Sequence, residues 1–371
     1  MKMKILVLFG TRPEAIKMAP LVKALEREED MEVVVCVTAQ HREMLDQVLE
    51  VFQIKPQYDL NLMQHGQTLS QITSRALVGI ESILKNEKPD LVLVHGDTTT
   101  TLSGALAAFY QQIPVGHVEA GLRSGNPYSP YPEEMNRMLA SKLATVHFAA
   151  TEGNVDNLIK EGINPQTIYK TGNTVIDALM SVVTPEYVFK HSILDKIDYN
   201  AKKVIVLTAH RRENQGTPMV NIFTAVREVV DANPDVEVVF PVHLNPKVRD
   251  LAQTLLSDHS RIHLIEPLEY EPFANLIGKS YLILTDSGGI QEEAPALGKP
   301  VVVLRTETER PEAVEAGTVV IAGVEKDAIV TETNRLLQDA SHYKQMSGAV
   351  NPYGDGTACE KIIRSIYKLR V

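Results

Sequence analysis

Short β-branched runs separated by longer helical stretches recur twice along this chain, and that alternation constrains the fold more than any other feature. Ile5 to Phe9, Glu32 to Thr38, Leu91 to His95, Pro114 to Val118 and His147 to Ala149 make the first series. A charged, irregular stretch from Thr184 to Lys203 follows, and the pattern restarts with Val204 to Thr208, Val236 to Pro241, Ile262 to Ile265, Leu282 to Thr285 and Val301 to Leu304. Apolar at nearly every position, such runs suit strands of a parallel sheet buried on both faces, which needs helical crossovers. Two series predict an α/β protein of two doubly wound domains, and 371 residues is enough chain for two cores. The first domain is expected over residues 1–172 and the second over 173–356. Asn351-Pro352-Tyr353-Gly354-Asp355-Gly356 is a turn-rich stop. Residues 357–371 carry Ile362, Ile363, Ile366 and Leu369 at helical spacing and read as a terminal helix that returns to the first domain.

The charge balance, 37 Lys and Arg against 47 Asp and Glu for a net −10, argues against a nucleic-acid or membrane partner, because both would be repelled at long range. An anionic ligand then needs a local cationic pocket. No apolar run approaches the ~20 residues of a membrane span, and Ile5 to Phe9 is too short for a signal-peptide core, so a cytoplasmic location is expected. Cys36 and Cys359 stand far apart and read as small buried thiols. No G-x-G-x-x-G follows any strand, and Gly278-Lys279-Ser280 lacks the glycine a Walker loop needs, Phe273 standing in its place. With no zinc-spaced Cys and His either, no cofactor and no metal are expected.

Ligands of open α/β sheets bind beyond the carboxyl ends of the strands, and here those ends are unusually polar. After the first strand come Gly10, Thr11, Arg12, Pro13, Glu14 and Lys17, a turn, a helix start and two cations that suit a phosphate. Alone, Gly-Thr-Arg-Pro would be an ordinary turn. His95-Gly96-Asp97 opens a run of four threonines, the fourth strand delivers His117 to Arg123, and Pro132-Glu133-Glu134-Met135-Asn136-Arg137 begins a helix. Any one of these acids could merely cap a helix or complement its dipole. Asp97, Glu119 and Glu133 at successive strand ends read instead as carboxylates converging on one cleft to exchange protons. In the second half, one strand runs into Ala209-His210-Arg211-Arg212-Glu213-Asn214, another into Pro241-Val242-His243, and a third into Asp286-Ser287-Gly288-Gly289-Ile290-Gln291-Glu292-Glu293. A strand, a Ser-Gly-Gly turn and a helix start let bare backbone approach a diphosphate, and Glu293 lies one turn on, where it could accept from a ribose.

These segments, with Gly10 to Pro20, His95 to Thr98, His117 to Arg123, Pro132 to Arg137, His210 to Asn214 and Asp286 to Pro295 in that order, resemble the non-hydrolysing UDP-N-acetylglucosamine 2-epimerases nearly end to end. The resemblance implies a GT-B fold with the active site in the cleft between the domains, a homodimer, and interconversion of UDP-GlcNAc and UDP-ManNAc for cell-surface polysaccharide. It implies that Asp97, Glu119 and Glu133 meet the sugar, that His210 stands near the glycosidic oxygen and phosphate, and that Lys17 contributes charge. It assigns Arg12, His210, Ser287, Gly288 and Gly289 to the diphosphate, Arg137 to the substrate, Glu293 to the ribose and Phe273 to the uracil. A second UDP-GlcNAc acting as activator would use Gln40, His41, Arg211 and His243. Here the sequence departs, with Glu43 where a Gln is common and Gly66 where an Arg is common. The rival readings are a GT-B glycosyltransferase, a hydrolysing epimerase and a UDP-sugar-binding protein without activity.

Overall fold

The computed structural model describes residues 2–39, 42–64 and 66–369, with the side chains of Arg42 and Glu43 outside the described set. The chain divides into two compact units, Met1–Ser181 with Tyr353–Val371, and Val182–Pro352.

The first unit holds a seven-stranded sheet of β1 (Met3–Phe9), β2 (Met31–Val37), β3 (Tyr58–Asp59), β4 (Leu91–His95), β5 (Val115–Ala120), β6 (Val146–Ala149) and β7 (Ile168–Lys170). Its order is β3-β2-β1-β4-β5-β6-β7, and every pairing is parallel. The strand order reverses between β1 and β4, so the loops leaving those two strands diverge and open a crevice at the sheet's carboxyl edge. The second unit repeats the plan with β8 (Lys203–Thr208), β9 (Val236–Pro241), β10 (Ile262–Ile265), β11 (Leu282–Thr285), β12 (Val301–Val303) and β13 (Val319–Ile321), in the parallel order β10-β9-β8-β11-β12-β13. Its reversal lies between β8 and β11.

All ten runs read from the sequence are strands. The three that the pattern did not reveal, β3, β7 and β13, are only two or three residues long and stand at sheet edges. One strand runs further than its apolar run implies. β5 continues through Glu119, where the register against β6 slips between Val118 and Ala120. Glu119 occupies this bulge with φ +61, in the left-handed region that a non-glycine residue adopts at a cost.

Helix Thr174–Val182 presents Asp177 to the amino end of helix Ala358–Lys368, where its carboxylate accepts the Ala358 and Cys359 amides at 3.2 and 2.8 Å. The far end of that terminal helix is tied by the Tyr367 hydroxyl to Glu28 and Asp30. Its buried side, Ala358, Cys359, Ile362, Ile363 and Ile366, is the apolar stripe visible in the sequence. Among the described residues no helix is long and apolar enough to cross a membrane, and no group of three His, Cys, Asp or Glu is placed to hold a metal ion.

Candidate functional site

In the first unit the site grows from the loops after β1, β4 and β5. Thr11 caps helix Arg12–Leu25 and Glu14 completes a capping box, but Glu14 does more than cap. It is fully buried, and its carboxylate accepts from the Gly10 and Thr11 amides at 3.0 and 2.8 Å and from the Thr98 hydroxyl at 2.7 Å. Burial raises its pKa, and those hydrogen bonds oppose the rise. The composition of the Gly10 turn suits a phosphate, yet two of its amides are occupied by this carboxylate. Gly10 is required there because a Cβ would run into the Thr38 and Thr100 hydroxyls, themselves 2.7 Å apart. Arg12 forms no ion pair or hydrogen bond among the described residues and remains the cation of that turn.

Lys17, one turn further along the helix, is ion-paired with Glu119, and Asn173 donates to the same carboxylate oxygen at 3.0 Å. His95 Nε2 lies 3.7 Å from it. Burial pushes the His95 imidazole down to about 4, with Glu119 opposing, so the ring is neutral at physiological pH. His117 is buried as well, contacts the Gly96 carbonyl at 2.7 Å, and is pushed down to about 3 by the same cause. Neither imidazole is thus a ready proton donor.

Asp97 follows β4. Arg137 Nη2 stands 3.6 Å from its carboxylate, and the Asn136 amide donates to its carbonyl at 2.9 Å. Its carboxyl is pushed up to about 6, first by burial and then by the charges of Glu119 and Glu133, against the lowering effect of Arg137 and Lys17. Asp97, Glu119 and Glu133 are therefore near enough to interact, which their sequence positions alone could not show. Glu134, by contrast, is a buried structural acid: it accepts from the Ser124 and Gly125 amides at 3.1 and 2.9 Å and pairs with Arg137 at 3.1 Å.

In the second unit the loops after β8 and β11 face each other across the reversal. Asp286 is fully buried, and its Oδ2 accepts from the His210 and Arg211 amides at 2.8 Å each and from Asn214 Nδ2 at 3.1 Å. Burial alone would raise its pKa, but the histidine and those amides hold it below the usual carboxylate value. The Ser287 amide is taken by the Thr285 hydroxyl at 2.9 Å. Helix Gly288–Ala296 then begins without a side-chain cap, presenting its first amides and its positive dipole end. A Cβ on Gly288 would lie 3.9 Å from both the Arg211 and Arg310 guanidinium groups, so two arginines flank this helix start. Arg310 is anchored by Glu292, and the His243 ring stacks on His210 with centroids 5.7 Å apart. Glu293 lies on the same helix with Oε1 3.4 Å from a Cβ placed on Gly289. Phe273 is half-buried in the first turn of helix Tyr270–Lys279, beside Tyr270, whose phenol is raised first by burial and then by Glu293. Uncapped amides, two guanidiniums and an imidazole make an anion site with room for close backbone approach.

Comparison with known proteins decides what this pair of constellations belongs to. A family profile described as UDP-N-acetylglucosamine 2-epimerase matches residues 23–367. The chain belongs to the UDP-N-acetylglucosamine 2-epimerase family. The UDP-N-acetylglucosamine 2-epimerase of Bacillus subtilis (strain 168) is 56% identical over 365 residues, 98% of this chain and 95% of its own length. The S. aureus MnaA co-structure with UDP matches with a TM-score of 0.88 at 55% identity, covering 100% of this chain and 97% of that one. UDP-GlcNAc 2-epimerase from Neisseria meningitidis, solved bound to UDP-GlcNAc, matches with a TM-score of 0.85 at 50% identity, over 99% and 100% of the two chains. The two doubly wound sheets are those of the GT-B fold.

For this family member the sequence reading passed over Glu14, Asn173, Asn214, Asp286 and Arg310. Asp286 opens the quoted Ser-Gly-Gly motif and Arg310 sits in the charged Arg310-Pro311-Glu312 loop, so both were visible without a role. Asn173 carried no signal, since nothing local marks an amide that reaches Glu119. Gln40 and His41, and the side chain of Glu43, lie outside the described residues.

The raised Asp97 carboxyl has a measurable consequence. A group whose folded pKa of about 6 exceeds its ordinary 3.8 favours the folded state while protonated, and that contribution is lost as pH rises through 6. Asp97→Asn should therefore raise the melting temperature relative to the parent above neutrality, with the gain vanishing below the ordinary carboxylate range. Calorimetry across that pH span tests it; parallel curves for the two proteins would contradict it.

Proposed function

We propose that the protein interconverts UDP-GlcNAc and UDP-ManNAc by eliminating UDP and adding it back, without hydrolysis, and so supplies ManNAc units for cell-surface polysaccharide. The observation that carries this reading is the carboxylate group of the first unit, where Asp97, raised to about 6, lies within electrostatic reach of Glu119, which is paired with Lys17. Two acids in such different surroundings suit taking a proton from one face of a carbon and returning it to the other.

Carbon 2 of the sugar has no ring carbonyl to stabilise a carbanion, so a bare proton abstraction there would be slow. Departure of UDP solves this. A carboxylate takes the C2 proton, the C–H electron pair becomes the C1=C2 bond of 2-acetamidoglucal, and the C1–O pair leaves with the diphosphate. In the return step the diphosphate oxygen attacks C1 and a carboxyl delivers a proton to the opposite face of C2. Asp97, Glu119 and Glu133 exchange these protons, with Lys17 and Arg137 setting the charge around them. His210, Ser287, Gly288 and Gly289, with Arg12, hold the diphosphate, and Arg211 and Arg310 add positive charge where it develops in the transition state. Glu293 accepts from the ribose and Phe273 packs near the uracil. The bound ligands named for the S. aureus and N. meningitidis structures, UDP and UDP-GlcNAc, support this substrate class.

Purified protein incubated with UDP-GlcNAc in deuterated water should yield UDP-ManNAc carrying deuterium at C2. Free ManNAc and UDP would mean a hydrolysing enzyme, and an unchanged sugar that moves only to an added acceptor would mean a glycosyltransferase. Asp97→Asn and Glu119→Gln should each abolish turnover while UDP still binds; full activity in both sinks the assignment.

Arg211 and His243 are also the positions the resemblance gives to an activating second UDP-GlcNAc. Here both serve the anion site itself, Arg211 on the Asp286 carbonyl at 3.2 Å and His243 on the His210 ring. With Glu43 and Gly66 in place of an amide and a cation, the reverse reaction should show hyperbolic kinetics, and marked acceleration by trace UDP-GlcNAc would instead establish an activator.

A homodimer is part of the same reading. Phe109 and Tyr110, 56% and 61% exposed, border a shallow cavity of about 560 Å³ that Ile113, Pro114 and Leu143 line together with the polar Gln112 and Thr145, and the two exposed rings suit a second copy. Sedimentation should give a dimer that Phe109→Glu weakens; a parent protein that sediments as a monomer overturns the proposal.

A further inference from the structure

A buried carboxylate beside an anion site is at first sight the wrong charge in the wrong place. Asp286 has no exposure to solvent, and the three donors that reach its Oδ2 are the His210 amide, the Arg211 amide and Asn214 Nδ2. Its other oxygen, Oδ1, has no conventional hydrogen bond among the described residues and faces His210 Nδ1 at 3.0 Å. Two bare acceptors at that separation would repel inside a buried pocket, so Nδ1 carries a proton. The neutral ring then leaves Nε2 as an acceptor only. It can donate to a phosphate oxygen only when the ring takes a second proton and becomes a cation.

We infer that Asp286 is a positioning residue that fixes the Nδ1–H tautomer of His210 and supports its imidazolium form, so that His210 meets the substrate diphosphate as a charged donor. The inference rests on the proposed role of His210 at the diphosphate. The groups that meet the ring are Asp286 after β11 and the His243 ring after β9, and Arg211, next along the chain, donates to the Asp286 carbonyl at 3.2 Å. The carboxylate favours the cation, while His243 and Arg211, when charged, oppose it. Asp286 also holds the His210 and Arg211 amides, so one side chain sets both the position of the loop and the proton on its histidine.

The conservative variant separates these two tasks. In Asp286→Asn the amide oxygen can keep the three Oδ2 donors, which turns the NH2 group toward His210 Nδ1. Nδ1 then becomes an acceptor, the neutral ring carries its proton on Nε2, and the cation loses its partner.

The experiment begins with the parent protein labelled with nitrogen-15 histidine, its His210 signals assigned by their loss in His210→Gln. Long-range proton–nitrogen correlation above the histidine pKa should report Nδ1–H in the parent and Nε2–H in Asp286→Asn. The alkaline limb of kcat/KM for UDP-GlcNAc, whose diphosphate diester does not titrate in this range, should move to lower pH by about one unit or more in the variant, at least a tenfold loss on that limb. An Nε2–H tautomer in the parent overturns the inference without any variant, as do superimposable alkaline limbs in a folded Asp286→Asn protein. His210→Gln distinguishes the two levels: unchanged kcat/KM in that variant refutes the diphosphate role of His210, whereas a loss there with parent-like pH behaviour in Asp286→Asn refutes only the part given to Asp286.

Discussion

Both halves of this protein depend on a buried carboxylate set at the point where the strand order of a parallel sheet reverses. A loop that leaves such a sheet and starts a helix carries backbone amides with no partner in the ladder, and burying them unpaired costs about 1–3 kcal/mol each. Glu14 takes the Gly10 and Thr11 amides and the Thr98 hydroxyl, tying the loop after β1 to the loop after β4. Asp286 takes the His210 and Arg211 amides and Asn214, tying the loop after β11 to the loop after β8. In each case one acid joins the two diverging loops whose outer residues carry the chemistry. Removing either would leave several buried donors unsatisfied at once, so each acid holds the geometry of two loops.

That arrangement also divides the electrostatics. The first unit gathers acids: Asp97, Glu119 and Glu133 share a small region with Lys17 and Arg137, and the Asp97 carboxyl is raised first by burial and then by its two acidic neighbours. The second unit gathers donors at the start of helix Gly288–Ala296, with Arg211 and Arg310 on either side. A chain of net charge −10 thus contains a local cluster of cationic and amide donors in its second unit while its first unit gathers acids. Long-range repulsion still disfavours large polyanions, because the positive region is local.

Strain is placed to the same end. Glu119 stands in the left-handed region at a bulge of β5, a conformation of order 1–3 kcal/mol less favourable than an ordinary strand residue. The cluster of Lys17, Asn173 and His95 around its carboxylate holds it there. Gly121, two residues on, needs its own positive φ of +90, and a Cβ there would strike the Asn154 backbone, so the loop after β5 is tightly specified by packing.

Much of the fold was legible in the linear sequence because strands buried on both faces leave uninterrupted apolar runs, and the loops after them stand out by their polarity. The family motifs marked Asp97, Glu119, His210 and Ser287 to Gly289, which stand at strand ends, and Glu133, which opens the helix that follows β5. The edge strands β3, β7 and β13 did not show, since two or three residues paired on one side carry no periodicity. Nor did Asn173, Asp286 or Arg310 declare their parts, because each acts across 18 to 76 residues of sequence on a partner that only the folded chain brings near. By itself the sequence determined two parallel α/β cores and the chemical character of their strand-end loops, both set by local residue pattern. The tertiary structure alone decided which acids share one field, which amides are already spent, and which carboxylate stands against His210, since these depend on distances and burial that no local pattern records.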